Sequence, residues 1–121
     1  MHIDISAKGI EITEAIRDYA EKKISALSRF VKGARELRAS LVLGKETAHH
    51  REGEVFMAEA ELYVDGKSFH SDETGKDLYA TIDAVQEELE RMITTEKEKR
   101  GSMLRRGGRK VKEMFRKIYR S

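Results

Sequence analysis

Apolar and polar residues alternate at the start of the chain, where Ile3 and Ile5 sit between His2, Asp4 and Ser6. This period of two predicts a short strand over residues 2–7. From Ile12 the period lengthens: Ile12, Ile16, Tyr19, Ala20, Ile24, Leu27 and Val31 recur at steps of three and four. That spacing is the buried stripe of a helix of about five turns, with Thr13 as its N-cap and Gly33 just past its end. Alternation returns at Leu37, Ala39, Leu41 and Leu43, and the polar stretch from Gly44 to Gly53 reads as an exposed loop that ends this second strand. Phe56, Ala58, Ala60, Leu62 and Val64 alternate with Val55, Met57, Glu59, Glu61 and Tyr63, and Asp65-Gly66 is a two-residue hairpin signal leading into a fourth strand over residues 67–72. Leu78, Ile82, Val85, Leu89 and Ile93 mark a second long amphipathic helix from about Lys76 to Arg100, which Gly101-Ser102 is expected to end.

The order β-α-β-β-β-α gives each helix one apolar stripe and each strand one apolar face. The expected fold is therefore α+β, a two-layer sandwich of a four-stranded sheet with both helices on one face. A right-handed crossover through the first helix sets strands one and two parallel, and the remaining strands form an antiparallel meander.

A chain of 121 residues fits one domain, and 39% hydrophobic against 38% charged residues leaves enough aliphatic side chains for a core. The chain has no Cys, which excludes disulfides, thiolate zinc sites and thiol nucleophiles. No signal-peptide pattern and no apolar run long enough to span a bilayer is present, so a cytoplasmic location and no membrane insertion are expected. The net charge of +2 conceals two unlike parts. Residues 101–121 hold eight basic residues and one acid, a net +7, which leaves −5 on residues 1–100. An acidic domain, 1–100, thus carries a basic tail, 101–121, and that asymmetry points to a polyanionic partner.

Most catalytic and metal readings fail on spacing. His49-His50, with Glu46 and Glu52 near, lacks a third fixed ligand and the i, i+4 spacing of paired helical ligands. Lys45 after Gly44 lacks the glycine-rich approach of a phosphate loop. Glu59 and Glu61 read as the solvated side of an antiparallel sheet rather than as paired hydrolase carboxylates. No nucleophile, base and orienting acid stand in a recognisable order, so no enzyme, cofactor, metal or small-molecule substrate is expected. The cations are more informative. Lys22 and Arg29, seven apart, are expected to share a flank of the first helix with Lys23 beside them, while Lys97, Lys99 and Arg100 tip the second. The open sheet face is expected to be acidic, through Glu59, Glu61 and Asp65 with Glu52 and Glu54 at its rim. In the tail, Arg105, Arg106, Arg109 and Lys110 surround Gly107-Gly108 as a flexible arm able to follow phosphates. Residues from Arg109 to Tyr119 can form a short amphipathic helix with Val111, Met114, Phe115 and Ile118 on one stripe. That helix could dock on the domain, insert into RNA or lie on a membrane surface.

Four segments together resemble a known family: Glu11-Ile12-Thr13-Glu14-Ala15-Ile16-Arg17-Asp18-Tyr19, Glu21-Lys22-Lys23, Asp77-Leu78-Tyr79-Ala80-Thr81-Ile82-Asp83-Ala84, and Leu89-Glu90-Arg91 leading to Lys97-Glu98-Lys99. The chain is similar, over residues 1 to about 100, to the ribosome hibernation promoting factors, also called ribosome-associated translation inhibitors. The resemblance implies a fold like a double-stranded-RNA-binding domain with an extra strand. It implies binding to the small ribosomal subunit and its rRNA, in the channel of mRNA and tRNA and in competition with both, so that translation stops under stress and idle ribosomes are preserved. Carried over by matching position, Lys22, Lys23, Arg29, Tyr79, Arg91, Lys97, Lys99 and Arg100 are the implied RNA contacts. Lys76, where the family commonly has an acid, adds a further cation, whereas Thr95 stands where relatives often carry a lysine. The long forms add a carboxy-terminal dimerisation domain, so a protein ending in this short basic tail is expected to be monomeric off the ribosome. Two other readings remain open: a structured-RNA or membrane-surface adaptor acting through the tail, and a protein-interaction modulator of transcription.

Overall fold

The computed structural model describes the backbone of residues 1–46 and 55–119 and the side chains of residues 1–46 and 55–100. Strand β1 (His2–Lys8) leads into helix α1 (Glu14–Ser25) and a 3₁₀ segment (Ala26–Phe30); β2 (Leu37–Glu46), β3 (Val55–Val64) and β4 (Lys67–Gly75) follow, and helix α2 (Leu78–Tyr119) ends the described chain. The sheet order is β1-β2-β3-β4. β1 runs parallel to β2, and the other two pairs are antiparallel, the expected two-layer α+β arrangement.

Alternation decides which residues enter the core. Leu41, Leu43, Ala58, Ala60 and Leu62 are buried on one sheet face, against Ile24 and Leu27 from the first helical segment and Ile82, Val85, Leu89 and Ile93 from α2. Each large aliphatic group so buried contributes roughly 1.5–3 kcal/mol. Thr13 caps α1, its Oγ1 accepting the Ile16 N–H at 3.2 Å. Asp77 does the same for α2, where its Oδ1 accepts the Tyr79 N–H at 3.1 Å. The β3–β4 turn has Asp65 at φ 47° and Gly66 at φ 84°, a left-handed pair that reverses the chain in two residues.

Three expectations are corrected. The first helix is not α-helical to Val31: at Ala26 it tightens into the 3₁₀ segment, which ends at Phe30. Ser25 Oγ donates back to Glu21 O, a competing local bond at the end of α1, and the tighter winding keeps Leu27 fully buried. β2 does not stop at Leu43 but pairs through Gly44, Lys45 and Glu46 with Met57, Phe56 and Val55. Gly44 permits this, since a Cβ there would lie 3.1 Å from Lys8 O and 3.2 Å from Met57 Cγ. Finally, α2 passes through Gly101-Ser102 and Gly107-Gly108 without a break and runs 42 residues, about 63 Å at 1.5 Å per residue. A glycine costs a helix about 1 kcal/mol, and the chain has no proline to stop it. The expected helix end at Arg100 therefore falls inside one helix. The His49-His50 loop, Glu52 and Glu54 lie outside the described residues.

Candidate nucleic-acid interface

Because the crossover returns α1 to the level of β2 and the meander brings α2 back over the same face, the two helices run in the same direction. Tyr19 meets Tyr79 and Asp83 near their starts, and Val31, past the end of the first helical segment, shares a hollow with Ile93 and Lys97. Lys23 likewise reaches Asp83, so Lys22 and Lys23 stand at the level of the start of α2, while Arg29 and Lys32, which flank Val31, stand nearer that of its residues 91–97. The early level carries both signs, Glu14, Arg17, Asp18, Glu21, Lys22 and Lys23 on α1 and Asp83, Glu87 and Glu88 on α2. The later level carries Arg29 and Lys32 alongside Arg91, Lys97, Lys99 and Arg100, with Glu96 and Glu98 among them. Cations are therefore denser toward the late end of the helical layer, with carboxylates at both levels.

The open sheet face is the more internally paired surface. Tyr63 Oη donates to Glu61, which raises the Tyr63 pKa, and the Arg38 guanidinium lies 4.3 Å from the Tyr63 ring centroid. His70 stands between Glu61 and Asp72, with its nitrogens 3.7 and 3.6 Å from their oxygens. Asp65, expected on this face, instead closes the turn: its Oδ1 accepts the N–H groups of Arg35 and Glu36, each at 2.8 Å.

The predicted cations form no single patch. Lys23 and Tyr79 meet in the seam between the helices: Tyr19 Oη donates to Asp83 at 2.5 Å, Lys23 Nζ lies 3.4 Å from the same carboxylate, and the two tyrosine rings meet edge to face with centroids 5.0 Å apart. The hydrogen bond to Asp83 is the main reason the Tyr19 pKa is pushed up to about 12. Lys22 and Arg29 are both exposed, and the 3₁₀ winding from Ala26 turns them about 60° apart instead of about 20°. The Arg29 guanidinium lies 4.8 Å over the Phe30 ring. Lys97 and Arg100 border one hollow near the end of the sheet, and Arg91 and Lys99 border its neighbour. Lys76 precedes α2 and lies about 30 Å along the helix from Lys97. Arg105, Arg106, Arg109 and Lys110 stand on the continuing α2 backbone; their side chains lie outside the described set.

Sequence reasoning missed Lys67. The hairpin turn delivers its ammonium to Glu96 of α2, which also faces Arg100 Nε at 3.8 Å. The only signal for it was the position directly after Asp65-Gly66. Among the described residues no group of three or more His, Asp or Glu is placed to hold a metal ion, and no helix is long and apolar enough to cross a membrane.

Comparison with known proteins bears on this arrangement. A family profile described as Sigma 54 modulation protein / S30EA ribosomal protein matches residues 3–101. A ribosome hibernation promoting factor of Klebsiella oxytoca is 32% identical over 99 residues, covering 82% of this chain and 96% of that protein. A ribosome hibernation promotion factor of Deinococcus radiodurans is 32% identical over 89 residues, but the match spans only 45% of that longer protein. Among solved structures, the N-terminal domain of Thermus thermophilus Protein Y superposes with a TM-score of 0.66 at 36% identity, covering 77% of this chain and 96% of that domain. A ribosomal subunit interface protein of Coxiella burnetii shares the fold with a TM-score of 0.62 at 23% identity.

Proposed function

The chain belongs to the family of Sigma 54 modulation and S30EA ribosomal proteins, and on that premise we propose that it is a ribosome hibernation factor that occupies the mRNA and tRNA channel of the small subunit. The names of its relatives point to the ribosome as partner. Family members are binding proteins rather than enzymes, and the proposed mechanism is steric: no bond is made or broken.

The observation that carries this reading is the concentration of cations toward the late end of the helical layer. A polyanion meets Arg29 from the first segment and Lys97, Lys99 and Arg100 from α2 there, while Lys22 and Lys23 stand earlier, Lys23 paired with Asp83. The early level, where Glu14, Asp18, Asp83 and Glu87 stand, attracts it less, so the protein is oriented as well as held. Phosphate pairing of this kind positions a protein on folded RNA without reading a base sequence. The residues from Arg105 to Lys110 extend the same positive run beyond the sheet.

The test is co-sedimentation with ribosomes and separated subunits across a salt series, comparing the full chain with residues 1–100. Saturable binding to the small subunit at one copy each, displaced by mRNA and tRNA and retained without the tail, is the expected result. Binding that follows the tail to any RNA or to anionic vesicles would sink the reading and favour an adaptor acting through residues 101–121.

A further inference from the structure

Helix α2 carries its apolar face past the folded domain. Leu78, Ile82, Val85, Leu89 and Ile93 are buried on the side that packs on the sheet. At about 100° per residue, Met103, Leu104, Val111, Met114, Phe115 and Ile118 return to that same side, all within about 120° of arc. The sheet does not follow them. It ends at the β3–β4 turn, which meets α2 at the level of Ile93 to Arg100, where Asp65 and Lys67 lie beside Glu96, Lys97 and Arg100. Residues 101–119 therefore run on for about 28 Å at 1.5 Å per residue, the core-facing stripe continuing with no described strand beneath it.

The seven basic residues from Arg105 to Lys117 all fall on the remaining arc, so the overhang has one apolar and one cationic side. RNA bound along the cationic side leaves the stripe in water. We propose that a second copy of this chain covers it, the two overhangs packing antiparallel about a two-fold axis at Val111. In that register Leu104 stands opposite Ile118, Gly107 opposite Phe115 and Gly108 opposite Met114, so the glycines of each stripe face large residues of the other. A parallel pair sets glycine against glycine and Phe115 against itself. The antiparallel register also places Tyr119, where the described helix ends, opposite Met103. The overhang is thus used in full, and the folded domains stand at opposite ends with their Arg100 residues about 33 Å apart. Twelve large apolar side chains, six from each copy and roughly 60–120 Å² each by their transfer energies, bury about 1,000 Å², the lower limit of a specific interface. The like charges of the outer arcs oppose the pairing. The dimer is therefore weak at low salt and tightens as salt screens the cations, the reverse of the salt dependence of phosphate binding. It replaces the monomer expected off the ribosome.

The test is sedimentation equilibrium of the full chain over a concentration series at about 0.05 and about 0.5 M salt. A monomer–dimer equilibrium is expected, with a dissociation constant about tenfold lower at the higher salt. Gly107→Phe overfills the position opposite Phe115 and should weaken the dimer about tenfold. Combining it with Phe115→Gly exchanges the two residues, leaves the composition unchanged and restores small against large in the antiparallel register alone, so the dimer should recover. Both positions lie beyond the buried core, so the domain keeps its fold in either variant. A monomer at both salts, association that falls as salt rises, or no recovery in the exchange would overturn the proposal. So would a chain that stays monomeric yet binds phosphatidylglycerol vesicles more tightly with Gly107→Phe, which would give the stripe to a lipid surface. Co-sedimentation of residues 1–100 with the small subunit is independent of every one of these outcomes.

Discussion

Two side chains show how much local order depends on single atoms. Tyr19 gives its proton to Asp83 across the helix seam, and this bond, aided by burial and by the negative charge of Asp83 and Asp77, moves its pKa from 10.0 to about 12. The folded protein therefore keeps a proton that the unfolded chain releases first. That contribution to stability is complete below pH 10 and is lost as pH rises from 10 towards 12. Spectrophotometric titration of the tyrosines should show a component near pH 12 that vanishes in Tyr19→Phe, and the variant's stability should depend less on pH across this window. Persistence of that component would assign it elsewhere. At Gly75 the limit is space: a Cβ would come within 2.7 Å of Thr81 Oγ1. That hydroxyl cannot swing away, since it is buried and donates to Asp77 O at 2.8 Å. Gly75→Ala should cost about 1–3 kcal/mol in chemical denaturation, the usual range for overpacking.

At the scale of elements, α2 is the clearest test of propensity against continuity. It crosses Gly101, Gly107 and Gly108, so alanine at each should stabilise the helix locally, by about 0.8–1 kcal/mol per position. Far-UV circular dichroism should show greater helicity in the triple variant; unchanged helicity would mean that the glycines do not limit this part of the helix. The same helix marks where sequence reading stops. The strands were legible because Leu37 to Leu43 and Phe56 to Val64 alternate cleanly and Asp65-Gly66 admits few other conformations. The expected stop at Gly101-Ser102 was wrong because glycine is only a modest penalty when its neighbours are good helix formers and no cap forces an end. The 3₁₀ turn at Ala26 was hidden because Leu27 fits an α-helical stripe nearly as well as a tighter one. Gly44 looked like the start of a loop, although its missing side chain is what lets β2 continue between β1 and β3.

On the whole molecule, the basic residues were visible in the sequence, but their grouping was not. Whether Arg29 and Lys97 lie toward the same end depends on the two helices running the same way, which only the crossover and the meander together determine. Under the ribosome reading this makes a graded prediction. Changing Lys22, Lys23, Lys97 and Lys99 to Ala should weaken association and reduce its salt slope by roughly 0.7–0.9 for each phosphate left unpaired. Lys76→Ala, at the early end of α2, should change both far less than Lys97→Ala; equal effects would argue against a contact concentrated at the late end. The sheet carries a further consequence. Its spatial order repeats the order of the chain, so β3 and β4 close over two residues while β1 must wait for the α1 crossover, and each doubling of such a loop adds about 0.6 kcal/mol of closure entropy. β1 is also held on one side only, with Ile3 and Ile5 half-buried. Amide hydrogen exchange should therefore be fastest among the strands in β1 and slowest in β3, as the sheet unzips from its amino-terminal edge.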